Sequence, residues 1–434
     1  MNMSPDLLPY RFRWVFCQLE VLRHCLPASI RQTLDQLPES LDATYIHVLS
    51  QIPQANQAHA HRLLQCLMVA VRPLYVEELA EVLAFEFNAA QGGIPKYCVA
   101  WQLDNQTQAV LSTCSSLVAI VKQGWSGRQV VQFSHFSVKE FLMSNRLGDF
   151  SQYHIHPISA HTILTQTCLG VLLHMDDRTD KESVKGFHLA EYAAQHWVEH
   201  AQFKDVVSHV KTGVTTLFDA EKPHFLAWVG IYDMDNSERS PKSEPNPLYY
   251  AVLCGFRDLV KHLAIKYPQY VNARSGQYTF PLFAALENGH FEVAELLLEH
   301  GANIDALNAS GRTVLLQVLS HPPHSLVKTV RFILEYDPDV NSHVGVLWTP
   351  LHLALYSGKL EVAEMLVKSK ADVNFPNTDG GTPLHMLSEF WTNDESSPCN
   401  SAYLRVAVRT FFEAPTKSVQ NERLARQMYS TVNK

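Results

Sequence analysis

The stretch that decides the fold is Pro350-Leu-His-Leu-Ala-Leu-Tyr-Ser-Gly358, because related stretches recur at a nearly fixed spacing. In register with it lie Pro247-Leu-Tyr-Tyr-Ala-Val-Leu-Cys-Gly255, Pro281-Leu-Phe-Ala-Ala-Leu-Glu-Asn-Gly289 and Pro383-Leu-His-Met-Leu387, with a weaker copy from Val314. The copies start 33 to 36 residues apart. A period of this size predicts a solenoid of stacked helical units, whose usual task is to recognise another molecule.

Every copy predicts an inner helix, a turn and an outer helix. The leading proline suits the first turn of the inner helix, where its missing N–H is no loss. Gly289 and Gly358 stand where that helix must end with a positive φ. Apolar residues at helical spacing, as in Val293–Leu298, predict the outer helix. The third copy is irregular because Pro322 replaces the glycine, and the fifth carries a polar insertion at 392–398.

Two signatures indicate the type of repeat. Thr349-Pro-Leu-His352 and Thr382-Pro-Leu-His385 resemble the tetrapeptide that opens an ankyrin repeat. His290-Phe-Glu-Val-Ala-Glu-Leu-Leu-Leu298 with Gly301-Ala-Asn-Ile-Asp305 resembles the second half of the same repeat. The resemblance covers residues 247–414 and implies five ankyrin repeats.

This resemblance also implies where a partner binds. In ankyrin repeats the binding surface is the concave face, which consists of the inner helices and the turn tips. His352 and His385 are implied to bond neighbouring backbone rather than a ligand. We therefore expect a protein partner to contact a set of turn-tip side chains: Arg274, Gln277, Tyr278, Asn308, Arg312, His343, Trp348, Asn377 and Asp379.

The N-terminal half predicts a different, mainly helical unit. Ser40 is a suitable N-cap for a helix that runs to Leu49. Further along, three helices, a β-hairpin and a final helix form the order expected of a winged helix. The predicted elements are helices at 57–70, Val76–Leu83 and Val110–Val118, strands at Leu117–Val121 and Val130–Phe133, and a helix at Val138–Ser144.

A second resemblance covers this half. Phe12-Arg-Trp-Val-Phe-Cys-Gln-Leu-Glu20, Leu37-Pro-Glu-Ser-Leu-Asp-Ala-Thr-Tyr45, Arg72-Pro-Leu-Tyr-Val-Glu-Glu-Leu-Ala80 and Phe133-Ser-His-Phe-Ser-Val-Lys-Glu-Phe-Leu142 resemble the region after the ATPase core in fungal NACHT-ankyrin proteins, which are NOD-like, STAND-class signalling proteins. Leu189-Ala-Glu-Tyr-Ala-Ala-Gln-His-Trp197 resembles their helical spacer. The winged-helix portion is also similar to the one that follows the lipase of GPI inositol-deacylase-like proteins.

The sequence departs from that family in its nucleotide chemistry. A NACHT ATPase needs a GxxxxGK[ST] loop, because backbone amides, an ammonium group and a hydroxyl must together hold phosphates and magnesium. This pattern is absent from the sequence. We therefore expect either a truncated gene model or a paralogue without the ATPase, and we expect no cofactor.

The predicted fold is mainly α, with a winged-helix and helical-spacer domain followed by an ankyrin-repeat solenoid. The polar run Ser237–Pro245 lacks core-forming residues and predicts a mobile linker. The predicted division is a helical segment resembling the end of a NACHT module at 1–55, a winged helix at 56–150, a spacer at 151–232, a linker at 233–246, the repeats at 247–414 and a C-terminal helix or tail at 415–434.

Composition and charge exclude several functions. A net charge of -8 gives no general attraction to nucleic acid or to an anionic membrane. The second winged-helix element carries Glu77, Glu78, Glu81 and Glu86 without a basic residue, which argues against DNA binding. No apolar run spans a membrane, no secretory signal is visible, and the eight cysteines lack CxxC pairs. These features favour a cytoplasmic protein and leave a nuclear location open.

One pattern suggests an enzyme. His196-Trp-Val-Glu-His200 matches HxxEH, in which two histidines on one helix face bind zinc and Glu199 acts as base. The chain has 22 histidines, however, and Trp197 belongs to an apolar stripe with Leu189. We therefore interpret the pattern as part of a packed helix, with no metal site and no catalytic residue.

The predicted function is a non-enzymatic protein-interaction module of a NOD-like signalling protein that binds its partner through ankyrin repeats. Two alternatives remain open at this point. The chain is the regulatory or sensor half of a NACHT ATPase, or a metal-dependent hydrolase that uses the HxxEH pattern at 196–200.

Overall fold

The protein divides into two compact units, with the boundary along the chain between Met234 and Asp235. The structure is a computed structural model, and it describes residues 40–87, 94–102, 105–123, 127–175, 186–235, 245–323, 325–345, 348–383 and 385. Predictions for the segment 1–39, for the insertion 392–398, for the rest of the fifth repeat and for the tail 415–434 lie outside these residues.

The first unit, which we call the helical unit, contains most of the short elements. Its strands are β1 (Leu74–Tyr75), β2 (Phe85–Glu86), β3 (Lys96–Tyr97), β4 (Val118–Gln123) and β5 (Arg128–Phe133). Its α-helices are α1 (Leu41–Ser50), α2 (Gln57–Val69), α3 (Val76–Glu81), α4 (Gln106–Cys114), α5 (Phe136–Leu142), α6 (Pro157–Leu172), α7 (Ala190–Ala201), α8 (Val206–His209), α9 (Lys211–Leu217) and α10 (His224–Ile231).

The predicted hairpin is confirmed and gains a third strand. β4 and β5 pair antiparallel from Val118 opposite Phe133 to Gln123 opposite Arg128. β1 adds to the other edge of β5, with Leu74 opposite Val131. The sheet order is therefore β1-β5-β4. Together with α2, α3 and α4, this sheet forms a winged helix.

A local signal sets the start of α1, whereas the sheet limits the end of α4. Ser40 caps α1 by accepting a 3.1 Å hydrogen bond from the amide of Ala43, as expected. The predicted third helix, Val110–Val118, is misplaced, because the α-helix runs from Gln106 to Cys114. Val118 belongs to β4, where its pairing with β5 outweighs the helical pattern of the apolar residues before it.

An aromatic cluster fills the core of the spacer. Trp228 on α10 is 1% exposed, and its ring lies 5.4 Å from that of Trp197 on α7 and 5.5 Å from that of Phe218. The indole N–H of Trp228 donates a 3.0 Å hydrogen bond to the carbonyl of Ala194. α7 packs along α6, and α6 packs against α2, so the spacer and the winged helix share one core.

The second unit, which we call the ankyrin unit, repeats a pair of antiparallel helices. The inner helices are α11 (Pro247–Leu253), α13 (Pro281–Glu287), α15 (Val314–Ser320) and α17 (Pro350–Tyr356). The outer helices are α12 (Arg257–Lys266), α14 (Phe291–Glu299), α16 (Leu326–Leu334) and α18 (Leu360–Lys368). Gly289 and Gly358 follow inner helices with φ of 73° and 68°, which confirms their predicted role.

The irregular third repeat is stabilised by its neighbour. Where the first, second and fourth repeats have glycine after the inner helix, this repeat has His321 and Pro322. The ammonium group of Lys359, from the fourth repeat, donates a 2.8 Å hydrogen bond to the carbonyl of Leu319 at the end of α15. Burial lowers the pKa of Lys359, which is consistent with this inward orientation.

Both ends of the predicted linker are packed into the ankyrin unit. Asp235 is 2% exposed and Asn246 is 4% exposed. The side chain of Asn246 caps α11 by accepting a 2.9 Å hydrogen bond from the amide of Leu248. The ankyrin unit therefore begins at Asp235 rather than at residue 247, while residues 236–244 lie outside the described part of the chain.

Candidate functional site

Four short β-hairpins repeat along the ankyrin unit, each just before an inner helix. In every hairpin the first amide donates to the carbonyl four residues on. The hydrogen bonds are Ser275 to Thr279 (2.8 Å), Asn308 to Arg312 (3.0 Å), Val344 to Trp348 (3.3 Å) and Asn377 to Gly381 (2.8 Å). These hairpins coincide with the predicted turn tips. Together with the exposed ends of the inner helices they form the surface that we call the hairpin face.

Two of the predicted contact residues shape the hairpins from within. The side-chain oxygen of Asn308 accepts the amides of Ser310 at 2.9 Å and Arg312 at 3.0 Å. Asn377 accepts the amides of Asp379 and Gly381 in the same way, at 3.0 and 2.7 Å. An asparagine that closes a turn on its own backbone is a structural element. These two side chains therefore set the position of their neighbours on the hairpin face.

The first hairpin is held by a buried acid. The hydroxyl of Tyr249 donates a 2.8 Å hydrogen bond to Asp235 and accepts the amide of Tyr278 at 3.2 Å. The other carboxylate oxygen of Asp235 accepts the amide of Gln277 at 2.7 Å. Gly276 lies against both side chains with φ of 58°, so a Cβ at this position would overlap them. Gln277 and Tyr278 are thus fixed through their backbone, and the side chain of Gln277 is exposed.

The fourth repeat carries an aromatic pair on the hairpin face. The ring of Trp348, in the hairpin, lies 4.8 Å from the ring of Tyr356, at the end of inner helix α17. Tyr356 is 68% exposed, the largest exposed fraction among the large hydrophobic side chains that the structure describes as exposed. Tyrosine and tryptophan are enriched at the energetic centres of protein interfaces. Trp348 was among the residues predicted from the sequence, whereas Tyr356 was not.

Polar groups occupy the middle of the hairpin face. Asn308 donates a 3.1 Å hydrogen bond to Gln317 on α15, and Gln317 in turn bonds the carboxyl group of Glu287 on α13. Burial raises the pKa of Glu287 to about 7, and the bond from Gln317 opposes this shift. Oε1 of Glu287 and Nε of Arg312 are both buried without a hydrogen-bond partner among the described residues.

The remaining predicted contact residues lie at or near the hairpins. Arg274 is exposed, contacts the ring of Phe280 at 5.7 Å and donates a 3.4 Å hydrogen bond to the carbonyl of Leu307. His343 is exposed and stacks at 5.5 Å on Phe375. Asp379 is exposed at the tip of the last described hairpin. The predicted residues therefore lie at or beside the four hairpins.

His352 links successive repeats, as the resemblance implied. Its Nδ1 accepts the amide of Thr349 at 3.3 Å, so the ring proton is on Nε2. Nε2 donates a 3.3 Å hydrogen bond to the carbonyl of Gly381 in the next hairpin. This histidine is a packing residue.

The HxxEH pattern in the helical unit is part of a buried hydrogen-bond chain. The amide of Val71 donates to the hydroxyl of Tyr192 at 3.1 Å, and this hydroxyl forms a 2.9 Å hydrogen bond with Nε2 of His200. Nδ1 of His200 forms a 3.0 Å hydrogen bond with Nδ1 of His161, in which one ring donates and the other accepts. Both ring nitrogens of His200 are therefore used, and the described residues contain no group of three ligands suited to a metal.

We expect these buried hydrogen bonds of His200 to make the helical unit sensitive to acid. Burial, with a smaller contribution from the neighbouring His161 and His196, lowers the pKa of His200 to about 3. The folded state therefore binds fewer protons than the unfolded state below pH 6.5, so stability should fall as pH decreases from 6.5, by up to about 1.4 kcal/mol per pH unit. Hydrogen exchange of the α7 amides between pH 6.5 and 5 measures this slope.

Two glutamine variants test this expectation, one at His200 and one at a control position. His200→Gln should reduce the pH dependence by the contribution of His200, whereas His209→Gln, at an exposed position of α8, should leave it unchanged. An unchanged slope in His200→Gln would show that other groups cause the acid sensitivity.

The acidic side of the winged helix is largely used for structure. Arg72 forms a bidentate pair with Glu78 at 2.6 and 2.8 Å. Glu81 accepts the hydroxyl of Tyr97 at 3.0 Å and the amide of Leu189 at 2.6 Å, so it ties α3 to the start of α7. An open cavity of about 340 Å³ beside Glu81 is also lined by Glu77 and His188.

The fold and the hairpin face define the class of protein: an ankyrin-repeat protein with an N-terminal winged helix. The family profile of ankyrin repeats matches residues 248–344 and 324–395. A second family profile, the winged helix domain of GPI inositol-deacylase, matches residues 49–155. The chain therefore carries both domains. The name GPI inositol-deacylase refers here to the winged helix alone.

Similar proteins with curated descriptions share parts of this chain. Azaphilone pigments biosynthesis cluster protein L of Monascus ruber is 28% identical over 299 residues, which are 62% of this chain and 61% of that protein. Ankyrin repeat and SOCS box protein 11 of Danio rerio is 37% identical over 25% of this chain and 36% of its own length. Ankyrin repeat and SAM domain-containing protein 6 of Mus musculus is 32% identical over 35% of this chain and 16% of its own length. The chain thus matches less than two thirds of each relative.

These domains indicate a protein-interaction module, since ankyrin repeats generally mediate binding between proteins. In the part of the chain that the structure describes, no helix is both long and apolar enough to cross a bilayer.

Proposed function

We propose that the chain captures a protein partner on the hairpin face of its ankyrin unit and acts without catalysis, as an interaction module of NOD-like signalling in the cytoplasm. The observation that carries this proposal is the exposed Tyr356 beside Trp348, on a face built from four hairpins in register. Repeating hairpins on stacked helices provide an extended surface for a partner.

The NOD-like context rests on the order of the domains. A GPI inositol-deacylase-type winged helix precedes ankyrin repeats, as in the NACHT-ankyrin proteins that the chain resembles. The similarity to azaphilone pigments biosynthesis cluster protein L of Monascus ruber supports a fungal setting. The partner itself follows from neither observation.

A substitution on the hairpin face tests the proposal. The full chain, immobilised through a tag, is compared with Tyr356→Ser in quantitative capture from an extract, followed by direct binding of each captured protein. A true partner should bind Tyr356→Ser at least about tenfold more weakly, because aromatic side chains supply much of the energy at such interfaces. The control is Ile265→Ser, which removes a 63% exposed side chain from outer helix α12.

Equal loss in both variants, or no loss in either, would contradict partner capture on this face. A captured protein that still binds a chain with residues 247–414 deleted would contradict it as well.

A second candidate is a regulatory part of a NACHT ATPase, supported by the same domain order. Sequencing of full-length transcripts tests it: a GxxxxGK[ST] motif in the same reading frame would favour this candidate. A purified endogenous protein with neither that motif nor bound nucleotide would count against it.

A further inference from the structure

The second hairpin carries a cation, Arg312, that forms no ion pair within the described residues. Nε of Arg312 is buried and has no hydrogen-bond partner, and no ion pair joins Arg312 to a carboxylate of the described residues. The backbone of Arg312 is fixed on both sides, because its amide donates to Asn308 and its carbonyl accepts from the amide of Asn308. A half-buried guanidinium without an acceptor is a costly feature unless a partner supplies one.

Arg312 and the aromatic pair occupy neighbouring positions along the face. Arg312 ends the second hairpin and Trp348 ends the third, at equivalent positions in successive repeats. Adjacent packed helices are about 10 Å apart, and an extended segment in the polyproline II conformation advances about 3.1 Å per residue with three residues per turn. Side chains three residues apart in such a segment lie on the same side, about 9 Å from each other, so they can reach both sites.

Resting on the function proposed above, we propose that the partner presents an extended acidic segment, in which an Asp or Glu pairs with Arg312 and an apolar side chain about three residues away packs on Trp348 and Tyr356. A guanidinium recognises a carboxylate through two parallel hydrogen bonds, which gives both energy and direction. The exposed ring of Tyr356 supplies the apolar contact.

The carboxyl group of Glu287 does not reverse the preference of this surface for an acidic segment. It belongs to the preceding repeat and already accepts a hydrogen bond from Gln317. Burial raises its pKa to about 7, so it carries less than a full negative charge at neutral pH. Its unpartnered Oε1 remains an acceptor, which a backbone N–H of the same extended segment can satisfy.

A displayed library of random peptides of about twelve residues, long enough to span about 40 Å, tests the proposal on the full chain. We expect enrichment of peptides with Asp or Glu about three residues from a large apolar residue. Synthetic versions should bind about tenfold or more weakly to Arg312→Gln, because a charge-assisted pair is lost. Arg312→Lys should be intermediate, since it keeps the charge but loses the forked geometry.

Arg331→Gln is the matched control, because this arginine lies on outer helix α16 with a 66% exposed side chain. Binding to it should equal that of the unmodified chain, and circular dichroism of Arg312→Gln should match as well. Enrichment of basic or neutral peptides, or equal affinity for Arg312→Gln, would overturn the inference while leaving capture on the hairpin face intact. If Tyr356→Ser also leaves partner capture unchanged, the proposed function itself fails.

Discussion

Replacement of Trp228 by alanine should lower the free energy of unfolding of the helical unit by about 3 to 5 kcal/mol. Trp228 is 1% exposed, and its ring contacts those of Trp197, Phe218 and Phe225 at 5.4, 5.5 and 6.1 Å. Truncation removes a large buried surface and leaves a cavity that the surrounding helices cannot fully close. Hydrogen exchange of the slowest amides in α7 measures the loss within this unit.

Leu226 provides the matched control for Trp228. It lies on the same short helix, α10, but is 53% exposed. Leu226→Ala should change the stability by no more than about 0.5 kcal/mol, as is usual for exposed positions. A comparable loss in both variants would mean that α10 itself, rather than the aromatic cluster, limits the stability of the unit.

The second large effect is expected for Gly276→Ala in the first hairpin of the ankyrin unit. The added methyl group would overlap the carboxylate of Asp235 and the ring of Tyr249, both of which are buried. The positive φ of 58° adds the strain of a left-handed conformation, about 1 to 2 kcal/mol. Overpacking usually costs a further 1 to 3 kcal/mol, so we expect a total of about 2 to 5 kcal/mol.

Gly311→Ala separates these two causes. Gly311 also has a positive φ, 69°, but a Cβ there has no heavy atom within 4 Å. Its replacement should therefore show the backbone strain alone. Hydrogen exchange of the α11 and α13 amides is the measurement, and equal losses for the two glycines would show that Asp235 and Tyr249 move aside without cost.

Turn chemistry made the hairpins predictable. Asn308 and Gly311, like Asn377 and Gly380, form a local motif in which the amide side chain closes the turn and the glycine takes the positive φ. Such a motif depends on a few consecutive residues. The predicted tips at 308–312 and 377–381 were therefore placed correctly from the sequence.

The exposed side chains of the hairpin face were only partly predictable. Tyr356 was missed, although it occupies the same position in its repeat as Glu287 and Ser320 do in theirs. The periodic pattern predicted the position of Tyr356 within its repeat. It did not show that the tyrosine ring would remain 68% exposed beside Trp348. The exposure of a side chain depends on the neighbouring repeats, which a single repeat does not encode.

Short-range patterns in this chain thus determined the repeat, the order of the inner and outer helices, the hairpin positions and the β4–β5 pair, because each depends on residues close in sequence. Tertiary structure decided the rest. It made Asp235 part of the ankyrin unit, used both nitrogens of His200 in a buried chain with Tyr192 and His161, and left Arg312 without an ion pair among the described residues. These features join residues far apart in sequence, and their chemistry depends on burial and distance, which only the folded protein fixes.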